Sequence, residues 1–157
     1  VSDRMQAGRW AQIIPLVELR YAHKLPRISA RPCVADSEGA LAVLRPLYEP
    51  HMNVFEAFRV LLLDQGGRIK GIYTASAGGM AGTVVDPRLI FSVALLSLSS
   101  SLILAHNHPS GQLQPSADDI LLTSKLVQGG KLMDITVVDH LILSQDGHYS
   151  FAENKRL

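Results

Sequence analysis

Apolar residues along this chain come either in dense runs or at helical spacing, and the alternation of the two predicts the elements. Leu41, Leu44 and Leu47 recur at helical intervals behind Asp36 or Ser37, either of which can cap a helix that stops before Pro50. Residues 56–64, EAFRVLLLD, form the dense run expected of a strand buried on both faces. Gln65, Gly66 and Gly67 turn it into a second strand over 68–74. After the flexible loop SAGGMAG, residues 83–85 read as a short strand, and Asp86 followed by Pro87 marks a helix start. The apolar face of that helix is Leu89, Ile90, Val93, Ala94 and Leu96. Residues 101–105 are another apolar strand, with His106 at its end. Pro115 and Ser116 open the next helix, and Gly129 with Gly130 supplies a left-handed residue to close it. Residues 135–143, a turn at 145–147 and residues 148–151 read as a terminal strand and hairpin.

Strand, helix and strand in that order predict a right-handed crossover with at least partly parallel pairing. The fold class is therefore α/β, a mixed sheet covered by helices. Before residue 36 the pattern is mixed: residues 13–21 read as an edge strand, and Pro26 and Pro32 keep the chain extended. This divides the chain into an N-terminal arm or edge strand, residues 1–35, and one domain, residues 36–157. An edge strand in the arm could pair with a neighbour and make a homodimer.

Composition narrows the function classes. With 157 residues and 47% of them apolar, the chain can close one sizeable core. Lys plus Arg, 15, nearly cancel Asp plus Glu, 14, so no charge excess argues for wrapping a polyanion or coating an anionic membrane. The single cysteine, Cys33, excludes an internal disulfide and every zinc site built on paired thiolates. The longest apolar stretch, residues 89–105, is broken by five serines, so no membrane span is expected. The opening VSDRMQAGRW has the pattern of neither a signal peptide nor a transit peptide, and a cytoplasmic location is the expectation.

Candidate chemistry concentrates in AHNHPSGQLQPSADD, residues 105–119. Side chains two apart on an extended chain point the same way, so His106 and His108 can converge on one point while Asn107 faces away. Pro109 and Gly111 then turn the chain, and Asp119 arrives in the first turn of the next helix. Two imidazoles and one carboxylate can hold a zinc ion with a fourth position left for water. Asp119 has a second reading, because Ser116 and Asp119 also have the spacing of a capping box, and the two uses of the carboxylate partly exclude each other. Asp118 is a rival ligand, set aside by spacing alone.

A hydrolytic metal needs a base near its water, and Glu56 is the candidate: an acid opening an apolar strand is out of pattern. The plain alternative is an exposed acid at a strand entrance. Asp139 and His140 read as a satisfied core pair, with a contact to the metal site as the alternative. His51 and His148 read as solvent-facing. Gly78 and Gly79 serve a turn or a mobile loop bordering a groove.

At these residues the sequence resembles the JAB/MPN domain family. The family's zinc motif is an upstream glutamate, His-x-His, seven residues, Ser, two residues and Asp, and Glu56, His106, His108, Ser116 and Asp119 match it position by position. The words EAFRVLLLD, SAGGMAGTVVDPRLIF, LILAHNHPSG, PSADD and VVDHLIL resemble the bacterial RadC branch, commonly labelled DNA repair proteins. The likeness runs from about Ser37 to Phe151.

The resemblance implies a cytidine deaminase-like fold, Zn2+ on His106, His108 and Asp119, and Glu56 as general acid and base. It further implies that Ser116 bonds the oxyanion of a tetrahedral intermediate. The activity implied is that of a metallopeptidase or isopeptidase acting on a peptide or protein substrate. Nucleic acid enters as a partner only through the DNA-repair label, and the helix-hairpin-helix region of longer RadC proteins has no counterpart before Glu56.

Among rival readings, a zinc deaminase needs a Pro-Cys-x-x-Cys pair that one cysteine cannot supply. The letters His-Asn-His do not make a nuclease, because the residues that name those nucleases are widely spaced rather than adjacent. A non-catalytic domain that keeps zinc for structure while binding protein or DNA is the remaining alternative.

Overall fold

The structure is a computed structural model that describes residues 20–78 and 84–157. Its regular elements run in the order α1 (Ser37–Tyr48), β1 (Ala57–Leu63), β2 (Ile69–Ala77), α2 (Pro87–Leu96), β3 (Ser101–Asn107), α3 (Ala117–Leu132), β4 (Thr136–Ser144) and β5 (Gly147–Ser150). Five strands form one sheet in the order β2-β1-β3-β4-β5. β1 is antiparallel to both β2 and β3, β3 and β4 are parallel, and β5 folds back on β4 as a hairpin. The sheet is thus mixed, and the fold is α/β as the pattern predicts.

Side-chain alternation assigns the two faces. Ala57, Leu61 and Leu63 of β1, with Ile103 and Ala105 of β3, pack against Ala40, Leu41, Leu44 and Tyr48 of α1. The even-numbered set, Phe58, Val60 and Leu62 with Leu102 and Leu104, packs against Ile90, Phe91 and Ala94 of α2 and Leu126 of α3. One helix therefore covers one face and two cover the other. His106 belongs by parity to the α2–α3 face, and Asn107 to the α1 face.

Local signals fix the helix starts. Asp36 caps α1 by accepting from the Gly39 amide at 2.8 Å, and Asp86 caps α2 by accepting from the Arg88 amide at 2.9 Å, with Pro87 in the first turn. Several expectations change. Leu47, Leu89 and Leu96 are exposed; Tyr48 and Phe91 take their places in the core, because the helix axes are rotated relative to the faces drawn from spacing. β2 runs three residues beyond 74, to Ala77. Val84 and Val85 lie in no strand, and Thr83 is outside the described residues, as are Gly79 and residues 13–19 of the arm. The parallel pair is β3–β4, joined through α3, whereas α2 carries the chain from edge strand β2 across β1 to β3.

Gly129 and Gly130 do not close α3, which continues to Leu132; the left-handed residue is Asp134, at φ 52°. The pair is instead a site of close approach. A Cβ on Gly130 would stand 2.2 Å from the Ile135 carbonyl oxygen, and one on Gly129 would stand 2.8 Å from the Phe91 ring.

Candidate metal centre

β3 ends where its sequence turns polar, and there His106 and His108 point to one side while Asn107 points to the other. After the turn through Pro109 and Gly111, the latter at φ 81°, α3 begins and brings Asp119 against both rings. His106 Nε2 lies 2.9 Å from His108 Nε2 and 3.1 Å from Asp119 Oδ1, and His108 Nε2 lies 3.6 Å from Asp119 Oδ2. Among the described residues these three form the group of His, Cys, Asp and Glu side chains close enough to share an ion. A zinc ion bound tetrahedrally at about 2.0–2.1 Å sets its ligand atoms about 3.3 Å apart, and the observed separations bracket that value. The donor set also fits chemically. His108 Nδ1 donates to the Gln112 carbonyl at 2.6 Å, so the neutral ring directs its lone pair at Nε2 into the site.

The capping box at the start of α3 is complete. Ser116 Oγ accepts from the Asp119 amide at 3.1 Å, and Asp119 Oδ2 accepts from the Ser116 amide and hydroxyl, each at 2.7 Å. The same carboxylate closes the box and faces the histidines, because it has two oxygens: Oδ2 accepts from Ser116 while Oδ1 faces His106. Asp118, the rival, is exposed and lies outside the three-residue group.

The sequence comparisons give the family. Residues 34–156 match the family described as the RadC-like JAB domain. The chain belongs to that family. Among its relatives are UPF0758 proteins of Flavobacterium johnsoniae, 35% identical over 90% of this chain, and of Porphyromonas gingivalis, 39% identical over 84%. Another, of Methanosarcina acetivorans, is 46% identical over 60% of the chain. The chain spans 61%, 56% and 41% of the length of these three relatives, respectively.

In this RadC-like JAB domain Glu56 and the three residues face common ground. Glu56 stands immediately before β1, half-buried, and lines a cavity of about 900 Å3 together with His108, Ser116 and Asp119. Phe58, Val60 and Leu62, on its own side of the strand, are buried as the pattern predicts. Val85, Leu121 and Leu122 give the cavity an apolar wall. His106 lies behind the cavity, 1% exposed, with the Phe58 ring stacked on it at 5.8 Å.

Electrostatics follow from this crowding. Burial works against the Asp119 charge, but the neighbouring His106 and His108 outweigh it and hold the carboxyl well below the usual carboxylate range. Burial likewise disfavours the charged His108, yet its bonds to Asp119 and to the Gln112 carbonyl raise its pKa above the ordinary imidazole value.

His140 is where pattern reading fell short. Asp139 is a satisfied core residue, accepting from the His140 and Ala152 amides and from Ser150 Oγ. His140 is not merely its partner: its Nε2 lies 2.8 Å from His106 Nδ1, and its Nδ1 2.6 Å from Thr123 Oγ1. Burial first, and the neighbouring His106 next, push its pKa well below the ordinary value, so the ring is neutral. A bulge puts it there. Leu102 pairs with Val137 but Ile103 pairs with Asp139, so Val138 is an extra residue that returns His140 to the His106 face. Thr123 carried a usable signal, since it lies four residues after Asp119 and shares its helix face. His51 and His148 are half-buried rather than solvent-facing; His51 stacks on Phe55 with ring centroids 4.5 Å apart.

Proposed function

We propose that this domain is a zinc-dependent hydrolase of amide bonds, acting on peptide or isopeptide linkages in a protein substrate. In this reading His106, His108 and Asp119 hold the metal, Glu56 moves the proton and Ser116 attends the oxyanion. One observation carries it: two imidazoles and a carboxylate converge at ligand spacing beside a cavity lined by His108, Asp119 and Glu56. Membership in the RadC-like JAB domain family supports the same reading.

Bound zinc supplies Lewis acidity toward a carbonyl oxygen and a water molecule. The Glu56 carboxylate accepts the proton of the attacking water and returns it to the leaving amine. The Ser116 hydroxyl, which donates to Asp119 Oδ2 at rest, turns toward the oxygen on which negative charge develops. Leu121, Leu122 and Val85 bind apolar parts of the substrate and exclude water beside the reacting bond.

The test is elemental analysis of protein purified without chelator, beside His108→Ala and Asp119→Asn. The expected result is about one zinc per chain in the parent and none in either variant. No stoichiometric metal in the parent, or full retention in both variants, would overturn the metal assignment. With a validated peptide or isopeptide substrate, Glu56→Gln should lose turnover while keeping zinc. Full turnover in that variant would remove Glu56 from its role.

A further inference from the structure

The hydrogens in a line of polar atoms can be placed when one end of the line can only accept. Behind His106 such an end exists, the backbone carbonyl of Asp119, 2.5 Å from Thr123 Oγ1. Two oxygens that close with no hydrogen between them would set lone pair against lone pair, so the Thr123 hydroxyl donates to this carbonyl. Its oxygen is left to accept, and the partner at 2.6 Å, His140 Nδ1, therefore carries the N–H. A neutral imidazole has one N–H, so His140 Nε2 is the acceptor and His106 Nδ1, 2.8 Å away, is the donor. His106 is then left with its lone pair on Nε2, the atom that faces His108 Nε2 and Asp119 Oδ1.

We propose that Thr123 and His140 are positioning residues that set the tautomer and ring orientation of His106, so that it presents Nε2 as a metal ligand. The relay starts on the backbone of Asp119, which supplies the carboxylate of the same site, so the ligand at the start of α3 orients the ligand at the end of β3. His108 receives the same setting in one step, from the Gln112 carbonyl. Both rings thus take their tautomer from a peptide carbonyl.

Burial leaves the relay no substitute: Thr123, His140 and His106 are each at most 1% exposed. Without the Thr123 hydroxyl, the His140 Nδ1–H would be buried without an acceptor, which favours moving the proton to Nε2. His106 Nδ1 would then accept, and the His106 proton would stand on Nε2, where the metal has to bind.

This inference rests on the metal reading of the site, and the experiment separates the two. On metal-free protein with 15N-labelled histidine, at mildly alkaline pH where free imidazole is neutral, long-range 1H–15N spectra should show His106 and His140 both protonated at Nδ1. A proton on Nε2 of neutral His106 would overturn the relay whether or not the protein binds metal. Zinc affinity measured against a chromogenic chelator should fall about 10–100-fold in Thr123→Val and be kept in Thr123→Ser, which restores the hydroxyl. Parent-like affinity in Thr123→Val, with thermal unfolding confirming that it folds, would overturn the relay. A parent without zinc would instead overturn the metal reading.

Discussion

The side chain of Asn107 grips both peptide groups that flank Glu56. Its Oδ1 accepts from the Ala57 amide at 2.9 Å, and its Nδ2 donates to the Phe55 carbonyl at 2.9 Å and to the Met52 carbonyl at 2.8 Å. The Gly78 amide donates to the Glu56 carbonyl at 3.0 Å. Glu56 thus stands on a backbone pinned from β3 and from the residue that follows β2, and Asn107, between the two histidines in sequence, holds it from the opposite face of the sheet.

Asn107→Ala should therefore destabilise the domain by about 3 kcal/mol, since truncation strands a buried amide and carbonyls at roughly 1–3 kcal/mol each. Urea unfolding of the variant measures this. A loss below about 1 kcal/mol would mean that water replaces the side chain.

Ser116→Ala removes the hydroxyl from the capping box and should lower stability by about 1 kcal/mol, the usual effect of losing an N-cap. It also frees Asp119 Oδ2 of one of its two Ser116 donors, so zinc affinity should fall in the same variant. Paired denaturation and chelator-competition curves distinguish a cap that orients Asp119 from one that only starts α3.

Gly130→Ala should destabilise in spite of the better helix propensity of alanine, which favours the variant by about 1 kcal/mol. The added methyl would meet the Ile135 carbonyl oxygen, backbone that also accounts for the turn from α3 into β4. Overpacking at the upper end of its usual range of about 1–3 kcal/mol leaves a net loss of about 1–2 kcal/mol after that gain. A neutral or stabilised variant in thermal unfolding would show that the turn can shift.

Chelation should inactivate the domain without unfolding it. Among the described residues, apolar clusters of thirteen buried residues on the α1 face and eleven on the α2–α3 face tie the helices to the sheet by contacts that need no metal. The far-UV circular dichroism spectrum should persist after metal removal, with a lowered melting temperature that zinc restores. Loss of the folded spectrum would favour zinc held for structure.

Much of this architecture was legible because its causes are local. Asp36, Asp86 with Pro87, and Ser116 each act on amides within three residues, so the helix starts could be read directly. The dense run after Glu56 and the alternation that faces His106 and His108 together depend only on the geometry of an extended chain. The arrival of Asp119 after the Pro109–Gly111 turn could be read from spacing. That one carboxylate can close the capping box and face the histidines together could not, because it depends on where two oxygens of one group end up in space.

The sequence alone determined the α/β class, the helix starts and the three residues that meet at the site. Tertiary structure decided which helix faces are buried, that Gly129 and Gly130 serve close packing, that Asn107 holds the backbone of Glu56, and that His140 stands against His106 at the candidate site. The physical reason is range. Caps, turns and alternation act over a few residues, whereas the position of His140 depends on the parallel pairing of β4 with β3 and on the bulge at Val138. Plain alternation from Val137 would have sent that ring to the other face of the sheet.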